Sequence, residues 1–145
     1  MTLHDIMRRH VVTAHRDDII DEVASELSDT HIGCVVVLDD GQPVGILTDR
    51  DISIGLDANW VDTSRMTVGE MATTHLVTVD VDTGLLELAE LMNEHGIRRV
   101  PVMDDGELVG IVTQDDLIVH LSRILDNVAG IVQTESPPEL WGRAY

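Results

Sequence analysis

The chain has 145 residues, 43% of them hydrophobic, enough for one compact unit with a core or for two small units sharing one. Asp and Glu total 27 against nine basic residues, all of them Arg, and the net charge of −18 disfavours two partners: nucleic acid, whose phosphates it repels, and the anionic surface of a membrane. Phe is absent and aromatics are 2%, so packing falls to Val, Ile, Leu, Ala and Met, patterned too regularly for disorder.

The first residues, MTLHDIMRRH, lack the apolar stretch of a signal peptide, and no apolar run approaches the ~20 residues of a membrane span. A soluble, cytoplasmic protein is expected. The acidic excess resembles that of a protein from a salt-loving archaeon, where high salt screens self-repulsion.

A short strand is predicted at VVTA (11–14). Asp17 then precedes Ile19, Ile20, Val23, Ala24 and Leu27, which recur at helical spacing. The β-branched run IGCVVVL (32–38) reads as a strand. Its Cys34 is the only cysteine, which excludes an intramolecular disulfide and a Cys-based zinc cluster, and it reads as a buried strand residue. Asp40-Gly41 is a tight-turn signal, because both residues tolerate positive φ. A strand over PVGILT (43–48) follows, then a helix starting at Thr48. LDANWVDTSRMT (56–67) is a polar linker.

The same sequence of elements then repeats: LVTV (76–79), a helix through Leu85, Leu86, Leu88, Ala89, Leu91 and Met92, VPVM (100–103), Asp105-Gly106, LVGIVT (108–113), and a helix starting at Thr113. That last helix carries an apolar stripe over 115–132: Leu117, Ile118, Leu121, Ile124, Leu125 and Val128. ESPPELWGRAY (135–145) reads as an extended tail, since Pro137 and Pro138 cannot continue a helix.

Shifted by 65 positions, residues 2–52 align with 67–117 without a gap, and 18 of the 51 pairs are identical. The chain is therefore one β-α-β-β-α unit written twice, an α/β (α+β) fold: repeat 1 over 1–60, repeat 2 over 61–128, a C-terminal extension over 129–145. The strands are almost wholly apolar, so both faces should be covered. Two copies packed sheet to sheet with pseudo-twofold symmetry satisfy this and leave two equivalent clefts.

Thr48-x-x-Asp51 and Thr113-x-x-Asp116 stand at the two strand-to-helix junctions. The spacing is that of a capping box, which needs no ligand. The same geometry suits a nucleotide: a carboxylate accepts from a ribose diol, and a Thr hydroxyl donates to a ribose or phosphate oxygen. His4, His10, His15, His31, His75, His95 and His120 show no metal-ligand spacing, and the Asp49-x-Asp51 pair is not kept in the second repeat, so no metal site is expected. No catalytic motif is present.

The runs Gly45-Ile46-Leu47-Thr48-Asp49-Arg50-Asp51 and Gly110-Ile111-Val112-Thr113-Gln114-Asp115-Asp116, each after a DDG turn and in register within the repeat, resemble a tandem CBS-domain pair, or Bateman module, over about residues 2–125. GIRRVPVMDD (96–105) also matches that family's middle strand. The resemblance implies a regulatory module that is not an enzyme, needs no catalytic cofactor, and binds AMP, ADP, ATP, S-adenosylmethionine or NAD between the repeats. It implies a homodimer through the motif helices, with a separate effector protein as partner. It implies ligand contact by Asp51, Asp116, Thr48 and Thr113, and by Thr13, Thr78, Ile32, Ile97 and Pro101. Arg98 and Arg99, whose counterparts are Gly33 and Cys34, are expected to serve phosphates in the Asp51 cleft. Arg50 is expected to serve the Asp116 cleft. The alternative is a ligand-free dimeric scaffold whose motif residues only cap helices.

Overall fold

A computed structural model describes residues 2–58 and 62–135. The extended tail expected over 136–145 and Trp60 of the linker lie outside the described residues.

The first sheet has the order β1 (Thr13–His15), β2 (Cys34–Asp39), β3 (Gln42–Thr48). The second has the order β4 (Val79–Asp80), β5 (Arg99–Asp104), β6 (Glu107–Thr113). In each, the outer strand runs parallel to the central one and the hairpin partner antiparallel, with Val36 opposite both Thr13 and Ile46, and Val102 opposite both Val79 and Gly110. The register slips once in each hairpin, at equivalent places: between Val37 and Leu38, and between Val102 and Met103. The expected turns form, with Asp40 and Gly41 at φ 48° and 77°, and Asp105 and Gly106 at 47° and 83°.

The parallel connection in each repeat is a helix, α1 (Ile20–Thr30) or α4 (Leu85–His95), that lays its apolar stripe on the sheet. Ile20, Val23 and Leu27 are buried on α1, Leu88 and Met92 on α4. Both helices stop in a left-handed residue. In α4 it is Gly96, for which positive φ carries no Cβ penalty; in α1 it is His31, which bears that penalty. α2 (Asp49–Asp57) and α5 (Gln114–Glu135) follow the hairpins. β3 touches β6, so the sheets meet through their hairpin strands.

The two cores do not follow the order of the repeats. Leu3 and Met7, from the start of repeat 1, belong to the core of the second sheet, with Val79, Leu88, Val100, Val102 and Val112. Val68, from the start of repeat 2, belongs to the core of the first sheet, with Ile20, Val35, Val37 and Leu47, and with Met66 and Met71 packed against it. Val68 lies on a one-turn helix, α3 (Val68–Met71), in a stretch after the linker for which the sequence predicts no element. Leu3 and Val68 are both fully buried, and each such burial stabilises by about 1.5–3 kcal/mol. Each sheet is thus completed by a segment exchanged from the other repeat.

The exchange is sealed by main-chain bridges that mirror each other. Arg8 and Ile111 donate N–H to each other's carbonyl at 2.9 and 3.0 Å, and Thr73 donates to the Ile46 carbonyl at 3.0 Å. The motif glycines make room for them. A Cβ on Gly45 would stand 2.5 Å from the Thr73 oxygen, and one on Gly110 would stand 2.7 Å from Met7 Sδ and 3.1 Å from the Arg8 oxygen.

The apolar stripe of α5 departs from a core assignment. Leu117 alone is buried, whereas Ile118, Leu121, Leu125, Val128 and Ile131 are exposed, as are Ile54 and Leu56 on α2. The exposed side chains of α5 form a long apolar stripe on a strongly acidic molecule.

Candidate functional site

Both Thr-x-x-Asp pairs form capping boxes. Thr48 N–H donates to Asp51 Oδ2 at 3.0 Å, and Asp51 N–H donates to Thr48 Oγ1 at 3.1 Å. Thr113 N–H donates to Asp116 Oδ2 at 3.0 Å, and Asp116 N–H donates to Thr113 Oγ1 at 3.2 Å. The chain leaves an extended strand for a helix at these points, and the box satisfies N–H groups that the first turn leaves open.

The second box has more bonds: the Thr113 hydroxyl also donates to Asp116 Oδ2, at 2.7 Å, and Arg8 joins it. Arg8 Nε and Nη2 both donate to Asp116 Oδ1, at 3.1 and 2.9 Å. Arg8 reaches Asp116 because the exchanged segment runs beside β6. Its repeat counterpart is Thr73, which has no charge to offer Asp51. Burial opposes ionisation of Asp116, but the Arg8 hydrogen bonds, the Thr113 hydroxyl and N–H, and the Arg8 charge outweigh it and hold the carboxyl below the usual Asp range.

A cavity of about 460 Å³ opens beside this pair. One wall is repeat 1: His10, Val11 and Val12 before β1, and His31, Ile32, Gly33, Cys34 and Val36 around the start of β2. The other wall is repeat 2 and the exchanged segment: Arg8, Arg98, Arg99, Ile111, Thr113, Gln114 and Asp115. Gly33 and Cys34 are the repeat counterparts of Arg98 and Arg99, so a cavity lined by all four lies where the two repeats meet. Arg98 and Arg99 form no ion pair among the described residues, although the chain carries 27 acidic side chains. Two guanidinium groups without an ion pair offer an anion a site on this wall, which the Asp115 carboxylate shares. A second cavity, about 500 Å³, lies between α1 and α2 and is lined by Leu27, Ile32, Asp49, Ile52 and Ser53 among others.

Of the residues singled out from sequence, the first cavity gathers Thr113, Arg98, Arg99 and Ile32. It does not gather Arg50, which is exposed, nor Pro101, which is fully buried opposite Ile111. Thr13 and Thr78 are exposed and Ile97 is half-buried, outside both cavities. Thr48, Asp51 and Asp116 line neither cavity, although Asp116 bonds Arg8 and Thr113, which line the first. Arg98 and Arg99 were expected with Asp51. They stand instead in the cavity that holds Thr113, because the start of β5 lies where the repeats meet. Arg99 still leans toward repeat 1: a Cβ on Gly33 would stand 3.6 Å from its Nη2 and 3.7 Å from the Asp49 carboxylate.

Sequence reasoning missed Arg8 and His31. For Arg8 a signal existed, since it is a charged residue where the other repeat has Thr73. Cys34 lines the cavity, and burial raises its thiol pKa despite the nearby Arg99. Among the described residues, no group of three His, Cys, Asp or Glu is placed to hold a metal ion, and no helix is long and apolar enough to cross a membrane.

Comparison with known proteins converges on one family. The model of the CBS domain matches residues 3–56 and again residues 68–123. Hypoxic response protein 1 of Mycobacterium tuberculosis is 36% identical over 121 residues, covering 83% of this chain and 85% of that protein. The crystal structure of a hypoxic response protein I with two coordinated zinc ions superposes with a TM-score of 0.72 at 36% identity, over 83% of this chain and 98% of that one. The CBS domain pair of protein MJ0100, in complex with 5-methylthioadenosine and S-adenosyl-L-methionine, superposes with a TM-score of 0.72 at 32% identity, over 88% and 97% of the two chains. With both repeats matched by the family model and the fold superposing on a solved CBS-domain pair, this chain belongs to the CBS-domain family, as a tandem pair.

Proposed function

We propose that the chain is a regulatory module that binds an adenosine-containing ligand in the cavity between its repeats and signals occupancy to a separate protein. The observation that carries this reading is the cavity: about 460 Å³, apolar on the side of Ile32 and Val36, with Arg98, Arg99 and the motif Thr113 on the facing side. Adenine fits against the aliphatic wall, the ribose against Thr113 and Asp116, and a phosphate against the two arginines. The related MJ0100 pair, which holds two adenosine compounds, supports the ligand class. AMP, ADP, ATP, S-adenosylmethionine and NAD are the candidates, with Thr48 and Asp51 as the corresponding groups of a second cleft. The module has no catalytic role and works as a homodimer through the apolar face of α2 and α5.

A ligand-free scaffold is the second reading, favoured by the capping boxes, which account for both motif pairs without a ligand. A thermal-shift screen with these five compounds and a guanosine control separates the two. A ligand at a hundredfold excess over its Kd stabilises by about 2.7 kcal/mol, a rise in Tm of about 9 °C for a chain of this size. An adenosine-specific rise that Asp116→Ala or Asp51→Ala removes supports the sensor. No shift with any compound refutes it and leaves the scaffold.

A further inference from the structure

Asp116 is the one motif carboxylate with no acceptor capacity left. A carboxylate offers about four lone-pair sites. At Asp116, Oδ2 accepts from the Thr113 N–H at 3.0 Å and the Thr113 hydroxyl at 2.7 Å, and Oδ1 accepts from Arg8 Nε at 3.1 Å and Nη2 at 2.9 Å. At Asp51 the Thr48 N–H donates to Oδ2, and no described side chain bonds Oδ1. A ribose diol needs two acceptor sites on its carboxylate. Asp51 has them; Asp116 has them only when Arg8 leaves.

The guanidinium of Arg8 can leave at low cost if it finds another anion. Its side chain is 64% exposed, it lines the cavity, and the phosphate-attracting Arg98 and Arg99 stand on the same wall. A phosphate held there offers Arg8 charged acceptors at least as good as the carboxylate it gives up. A neutral ligand offers none, and would leave the guanidinium only water and the Asp115 charge in place of two hydrogen bonds to a carboxylate. We infer that Arg8 determines the specificity of the Asp116 cleft, closing it to neutral adenosine compounds and admitting those that carry a phosphate. This rests on, and deepens, the adenosine-sensor reading.

Adenosine and AMP, which differ only in the phosphate, test the inference by calorimetry on the full chain and on Arg8→Gln. The main-chain bridge from Arg8 to Ile111 does not involve the side chain, so the variant keeps the exchanged segment in place. The Asp51 cleft has Thr73 at the matching position, so the change reports on the Asp116 cleft alone. The expected result is a crossing: adenosine binds about two- to tenfold tighter to Arg8→Gln than to the wild type, while AMP binds weaker by a similar factor. If both ligands weaken together, or neither changes, Arg8 is a structural strap and the inference is overturned while the sensor reading stands. If neither ligand binds either protein, the sensor reading fails and this inference with it.

Discussion

Gly45→Ala measures how much the exchange of segments is worth. Its new Cβ would stand 2.5 Å from the Thr73 carbonyl oxygen and 3.3 Å from Ala72 Cβ. The first distance is roughly 1 Å short of an ordinary contact, and the obstacle is main chain, which cannot rotate away. Relief requires the 72–73 segment to lift off β3. Overpacking of this kind costs about 1–3 kcal/mol, and the Thr73 to Ile46 hydrogen bond, lost with it, about 1 kcal/mol more. The sum, about 2–4 kcal/mol, lowers Tm by about 6–13 °C in a domain of this size. Two controls calibrate it. At Gly110 the nearest atom is the flexible Met7 Sδ at 2.7 Å, so Gly110→Ala should cost about half as much. Gly41 has nothing within 4 Å of a Cβ but sits at φ 77°, so Gly41→Ala should cost about 1 kcal/mol from backbone strain alone. Urea unfolding of the three variants in one buffer gives the ranking. If Gly45→Ala costs no more than Gly41→Ala, the exchanged segment does not press on the motif glycine and the reasoning is refuted.

Four further outcomes are expected. Asp116 titrates below the ordinary Asp value in the folded chain, because Arg8 and Thr113 favour its charge more than burial disfavours it. The stability it contributes is full above about pH 5, where the unfolded carboxyl is also ionised, and is lost as the pH falls through the depressed folded value, so Asp116→Asn should show a shallower acid loss below about pH 5 in chemical denaturation. His31→Gly should stabilise by about 1 kcal/mol, since His31 occupies the left-handed cap that Gly96 fills in the second repeat; a loss of stability would show that the imidazole makes contacts worth more than the strain. Iodoacetamide should label Cys34 slowly at neutral pH, because burial raises the thiol, and a ligand in the cavity it lines should slow labelling further; labelling as fast as a free thiol contradicts this. Leu125 is 68% exposed, so Leu125→Asp should leave the monomer fold and circular dichroism unchanged while shifting the sedimenting species from dimer to monomer, and a wild type that already sediments as a monomer removes the dimer from the proposal.

Apart from the one-turn α3, the order of strands and helices was legible in the sequence, as were the two DDG turns and the two capping boxes. Each is a local matter: helical or strand spacing of apolar residues, an Asp-Gly pair that accepts positive φ, and a Thr and an Asp three positions apart at a helix start. The 65-residue repeat added that whatever one half does locally the other does too. Tertiary structure decided what local chemistry does not encode. Leu3 and Val68 are apolar residues at the start of their repeats, and nothing in their neighbourhood says that each completes the other repeat's core. That crossing brings Arg8 to Asp116, obliges Gly45 and Gly110 to lack a side chain, and sets Arg98 and Arg99 beside Gly33 and Cys34 in one cavity. The apolar spacing of α5 predicts a helix equally well whether its stripe faces a core or solvent. Only the packing of the sheets, which α5 outruns, left that stripe exposed.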